Sequence, residues 1–368
     1  MERRALLVRV GFTAAMTAGL AAASRSPATQ GPAAKPTPGF EQMRKVDVHS
    51  HIYEDVPAVN AMLRRINLRV INVAVPATDG HLDFMHRFNA ALVKRHPDIF
   101  SFASTFDLTT RDEPDYGARI AKALDATFAQ GAVMVKIWKE VGIELKRPDG
   151  SFLLPDDPIL DPVYAHLASR RKPLLAHLAE PREAWLPLDP KGVHYGYYSR
   201  NPKWHLYGRP EFPSHSRLMA ARDRILVRHP NLVVIGAHIG SLEHDVDEVA
   251  KRLDRYPNFH VEVSARTRDL TRQPSSKVRA FFLKYQDRIL YGVDRSWTPH
   301  RTPDVKPTDA GRQQFATDLE AQYRRDWAYY AGAGSVAYGD DTIEALGLPQ
   351  DVLEKFYWRN AERLIGVK

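Results

Sequence analysis

The sequence predicts a (β/α)8 barrel: one large domain with a long loop after its fifth strand and a helical extension at the C-terminus. Three observations point there. Eight short apolar runs rich in β-branched residues recur along the chain, and segments of helical periodicity separate them. Three helix-to-strand turns repeat one pattern, RHPDIF at 95–100, RHPNLV at 228–233 and RYPNFH at 255–260. Finally, four histidines and an aspartate fall where four of the runs end, which in a barrel is one rim. An open doubly wound sheet is the alternative. No glycine-rich dinucleotide fingerprint follows the first run, which counts against it.

The chain has 368 residues, 44% hydrophobic and 26% charged, with a net charge of +8. That composition suits a globular fold. No apolar run is long enough to span a membrane. Basic residues are scattered rather than blocked, so no nucleic-acid surface is expected. With no cysteine, disulfides, thiolate ligands and cysteine nucleophiles are excluded.

Residues 1–23 read as an export signal to the periplasm. Arg3, Arg4 and Arg9 are basic, 10–20 is apolar, and Ala21-Ala22-Ala23 offers a cleavage site. Arg3-Arg4 followed by Ala5-Leu6-Leu7 is similar to a twin-arginine signal. Residues 24–40 are rich in Pro, Ala and Ser and read as a disordered spacer, so the barrel domain is placed at 41–368.

Strands are predicted at 46–52, 69–75, 99–105, 132–138, 174–178, 232–238, 259–264 and 288–293. Helical faces are formed by Leu82, Met85, Phe88 and Leu92, by Ile120, Leu124 and Phe128, and by Leu242, Val246, Val249 and Leu253. At the three repeated turns proline pushes the preceding residue out of the α region and ends the helix. The connection at 179–212 is much longer and carries Trp185, His194, Tyr197, Tyr198 and Trp204 among its aromatic residues. A structureless loop of this length is read as a lid. A helix near 317–330 and a last one over 350–365 complete the chain.

Fifteen histidines are present, and position sorts them. His96 and His229 lie in helix-to-strand turns and His260 opens a strand, all on the face of a barrel away from chemistry. His49 and His51 end the first run, His177 the fifth and His238 the sixth, while Asp294 ends the eighth. Side chains alternate along a strand, so His49 and His51 point the same way with Asp47 one layer deeper. Imidazoles with one carboxylate form a donor set that suits a divalent ion, and zinc fits it well. Lys136, near the end of the fourth run, has three readings: a rim residue paired with an acid, a carboxylated lysine bridging two metals, or a cation for an anionic substrate.

These pieces resemble the amidohydrolase superfamily, and most of all its amidohydrolase-related branch of metal-dependent hydrolases and decarboxylases. The matching stretches are DVHSHIY, VKIWKEVG, LLAHLAEP, VIGAHIGS, ILYGVDRS and the closing FYWRNAERLIG. The resemblance implies a barrel with one or two metals at its C-terminal rim. It implies that His49, His51 and His177 are ligands and that Asp294 is a ligand or general base. His238 binds a second metal or the attacked group, and Lys136 matches the lysine that binuclear members carboxylate.

The expected activity is hydrolysis of an amide, ester or lactone of a small molecule, with Asp294 and His238 as catalytic groups. The alternative is decarboxylation of an unsaturated or aromatic acid. Arg266 and Arg295 are candidates for binding a substrate carboxylate, and Trp185 and Tyr197 for stacking on a ring. A non-catalytic binding protein would be expected to have lost some of the ligands, and none is missing. A homo-oligomer is left open.

Overall fold

The computed structural model describes residues 39–367, apart from 76, 77, 79 and 303. The expected export signal lies outside the described residues, as does the spacer apart from Gly39 and Phe40. Phe40 already belongs to the domain. Its ring packs edge-on against Trp327, and its carbonyl accepts a hydrogen bond from the Lys45 ammonium.

Eight strands run parallel in chain order: β1 (Lys45–Ile52), β2 (Leu68–Val73), β3 (Phe100–Ser104), β4 (Ala132–Ile137), β5 (Leu174–Ala176), β6 (Val234–Gly236), β7 (Phe259–Glu262) and β8 (Ile289–Leu290). A short ninth, β9 (Ser296–Trp297), pairs parallel with the end of β1. The segment after β8 closes the barrel onto β1. Val48 N donates to Tyr291 O at 3.0 Å, Asp294 N to His49 O at 2.6 Å and His51 N to Arg295 O at 2.7 Å. Burial on both faces explains the near-continuous apolar runs of the sequence.

Helices cover the outside as the periodicity predicts. Met85 and Leu92 are buried on Leu82–Arg95, and Ile120 and Leu124 on Tyr116–Ala129. All three repeated turns stop a helix, at Arg95, Arg228 and Arg255. Several boundaries differ from expectation. The helix expected from 241 starts at Val246, because Asp245 caps it by accepting from Asp247 N at 3.0 Å. The helix expected near 317–330 is longer, Asp309–Ala331, capped by Thr308. The final helix is interrupted by a π-turn over Lys355–Arg359, and there Asn360 reaches in to donate to Ile289 O at 2.8 Å. The 179–212 connection is not structureless. It holds short helical segments at Arg182–Trp185, Tyr195–Arg200 and Pro202–Trp204.

Strict alternation also fails within β1. Its register against β2 shifts between Asp47 and Ser50. Asp47 therefore does not lie beneath the histidines. One carboxylate oxygen accepts from Tyr323 OH on Asp309–Ala331, at 2.8 Å, while the other accepts from His49 N and Val293 N. Bulges commonly re-aim side chains next to sites in this way.

Candidate functional site

A cavity of about 750 Å³ opens at the carboxyl ends of the strands. His49, His51, His177, His238 and Asp294 share its floor, and Tyr197 and Arg266 line its walls. Two of the positions on the floor are held in left-handed backbone, His238 at φ 59° and Asp294 at φ 57°. A β-branched residue or a proline would be strongly disfavoured there. Such strain persists where surrounding contacts impose it, and at Asp294 they do: its own N–H is tied to His49 O.

Each imidazole is oriented from behind. His51 Nδ1 donates to Val73 O at 2.8 Å and His238 Nδ1 to Ser264 O at 2.8 Å. His49 Nδ1 donates to the Glu262 carboxylate at 2.9 Å. The second nitrogen of each ring is thereby left as a lone pair. His51 Nε2 lies 3.1 Å from Asp294 Oδ1, and His49 Nε2 3.6 Å from the same oxygen. His177 Nδ1 donates to His238 Nε2 at 3.1 Å, and among the described residues the buried His177 Nε2 has no hydrogen-bond partner. Lone pairs that face a carboxylate this closely need a cation between them, so the residues fit a divalent ion.

Donor atoms of His49, His238 and Asp294 lie within 4.8 Å of one another. His177, expected as a ligand, lies on the same floor but outside that group, its Nδ1 3.1 Å from His238 Nε2.

Electrostatics favours the ligand forms. Burial holds His49, His177 and His238 below the ordinary imidazole range, with Lys136, His238 and Arg266 respectively adding to the effect. Burial would raise Asp294, but the adjacent His49 and His51 hold it well below the usual carboxylate range. Glu262 is likewise pulled down against burial, to about 2, chiefly by its bond with His49. Lys136 is wholly buried beneath the floor. Its ammonium donates to His49 Nε2 at 3.0 Å, and burial lowers it to about 8.

Two sequence candidates fall elsewhere. Trp185 packs the lid against the helix that follows it, His215–Arg228: its indole donates to Pro213 O at 3.0 Å and its ring meets His215. Arg295 does not line the cavity; its charge acts on Tyr323. Glu262 is the residue that sequence reasoning missed. Its signal was visible, since His260, Glu262 and Ser264 alternate on one face of an apolar strand, and a charge there is rarely buried without a partner. Lys139 was passed over for Lys136. It reaches the cavity wall, ion-paired with Glu180 and donating to Tyr197 OH at 3.0 Å. A second close group of donors, Glu183, His194 and Asp269, sits at the lid.

The amidohydrolase family model (Amidohydro_2) matches residues 20–367. The chain belongs to the amidohydrolase family. Among solved structures, a 2,6-dihydroxybenzoate decarboxylase in complex with 2,6-dihydroxybenzoate is 16% identical, with a TM-score of 0.51 over 88% of this chain and 100% of the other. The 5-carboxyvanillate decarboxylase from Novosphingobium aromaticivorans, in complex with manganese and a nitrobenzoic acid, is 13% identical, with a TM-score of 0.50 over 92% and 100%. At these identities the likeness shows the fold. No curated protein matches the sequence. Family and site together make this amidohydrolase an enzyme that acts on a small molecule through a metal site.

Proposed function

We propose that the chain is a metal-dependent decarboxylase of an aromatic or unsaturated carboxylic acid. The observation that carries this reading is Arg266. It is a buried cation in the cavity wall, and its Nε has no hydrogen-bond partner among the described residues. A substrate carboxylate suits such a group. The decarboxylases among the similar structures support the same choice over the hydrolysis first expected.

A divalent ion, proposed to be a single zinc, would supply Lewis acidity at the floor. His49, His51, His238 and Asp294 would hold it, with the bare His177 Nε2 alongside. Lys136 is proposed to remain an amine, whose hydrogen bond to His49 Nε2 the ion would displace. In the reaction the bond to the carboxyl carbon breaks and its electron pair stays on the ring or alkene carbon. A proton takes the vacated position, and carbon dioxide leaves. Asp294 Oδ2, 3.8 Å from His238 Nε2, is placed to hold and pass that proton, which solvent then replaces.

Hydrolysis is the second reading, favoured by an Asp294 held ionised and able to take a proton from water. The two are separated by incubating the zinc-loaded protein in heavy-oxygen water with carboxylated aromatics, unsaturated acids, esters, lactones and amides. Carbon dioxide released in proportion to acid consumed, with no heavy oxygen in the organic product, is expected. Heavy oxygen in a product without carbon dioxide would return the reading to hydrolysis.

A further inference from the structure

The lid carries a histidine that neither the metal group nor the proton path uses. His194 lines the cavity, yet it is about nine-tenths buried. Three contacts fix it. Its Nε2 donates to Asp269 Oδ1 at 2.9 Å, and Asp269 is itself buried. Its backbone N–H donates to Glu183 at 3.1 Å. Its carbonyl accepts from Tyr197 N and Tyr198 N, both at 3.0 Å, at the start of Tyr195–Arg200. An imidazole bound at Nε2 by a carboxylate keeps its proton there, so Nδ1 presents a lone pair. Nδ1 makes no hydrogen bond with the described residues. A ring held this firmly loses little freedom when it binds, which suits recognition rather than packing.

We propose that His194, locked by Asp269, reads the bound molecule by accepting a hydrogen bond from a ring hydroxyl. The proposal rests on the aromatic-acid reading above. Arg266 lies in the same wall, and Asp269 is the first of the acids that hold its charge. The Asp269 carboxylate thus braces the acceptor, while Arg266 Nε lies 4.0 Å from Glu243 Oε2. Asp269→Asn weakens that brace and lets the imidazole proton move to Nδ1, turning the acceptor into a donor.

The test is calorimetric binding of benzoate and its three monohydroxy isomers to the zinc-loaded full chain, with His194→Phe and Asp269→Asn alongside. At least one hydroxy isomer is expected to bind up to about 10-fold tighter than benzoate, the size of one good hydrogen bond. His194→Phe should abolish that advantage and leave benzoate unchanged, and Asp269→Asn should reduce it. Equal binding of benzoate and all three isomers would overturn the proposal while leaving the aromatic-acid reading in place. So would a His194→Phe loss shared by benzoate, which marks a structural role, or loss of a metal equivalent, which would make His194 a ligand. Should His194→Phe fail to fold, Asp269→Asn carries the same comparison. Failure of every probe to bind would remove both this proposal and the reading beneath it.

Discussion

At the scale of single residues, the site depends on groups that never touch the cavity. Glu262 fixes the His49 ring and also accepts from the backbone N–H of His238 at 3.0 Å, so one buried carboxylate ties a ring of β1 to the main chain just after β6. Glu262→Gln keeps the shape but loses the charge. Zinc affinity is expected to fall roughly 10- to 100-fold with the fold intact, read by competition with a chromophoric chelator. Lys136→Ala tests the lysine. If it is an amine, the variant keeps the wild-type metal count. A bridging role predicts two metals in the parent and loss of one in the variant, counted by elemental analysis. His49, His51, His177, His238 and Asp294 were legible in the sequence because strand ends of a barrel share one rim. Glu262 was legible in principle from alternation. Trp185 and Arg295 were misplaced because composition says nothing of which way a loop side chain turns.

At the scale of elements, the lid is clasped at the barrel rim. Lys139, after β4, and Glu180, after β5, form a buried ion pair, and the adjacent Tyr197 and Tyr198 bond to one partner each. The Lys139 ammonium also sits 3.9 Å above the Trp204 ring. Removing one charge strands the other. Lys139→Met is expected to cost about 3–5 kcal/mol in urea unfolding, and Lys139→Met with Glu180→Leu to recover much of it, since replacing both ions avoids an unpaired charge. The pair was invisible in the sequence because its partners lie 41 residues apart. The bulge in β1 was equally hidden. Local sequence shows an alternating DVHSH, and only the segment returning after β8 draws Asp47 toward Val293 and Tyr323.

At the scale of the whole molecule, buried histidines couple stability to pH. His260 lies at the base of β7, where burial, reinforced by Arg288 and Arg363, lowers it to about 3. In the unfolded chain its ring takes a proton near the ordinary value of 6.5. Between those values the unfolded state binds the extra proton, so stability rises with pH and is lost as pH falls from 6.5 toward 3. The slope from this group approaches about 1.4 kcal/mol per pH unit. His260→Leu should flatten it in unfolding midpoints measured across that window. The sequence by itself determined the barrel, because burial on both faces writes apolar strands and proline-stopped helices into local patterns. It also determined which residues end those strands. Only the tertiary structure decided how the ends meet. Closure of the last strand onto the first, the bulge in β1 and the clasp of the lid are contacts between distant segments, and nothing in a local period encodes the partner across a fold.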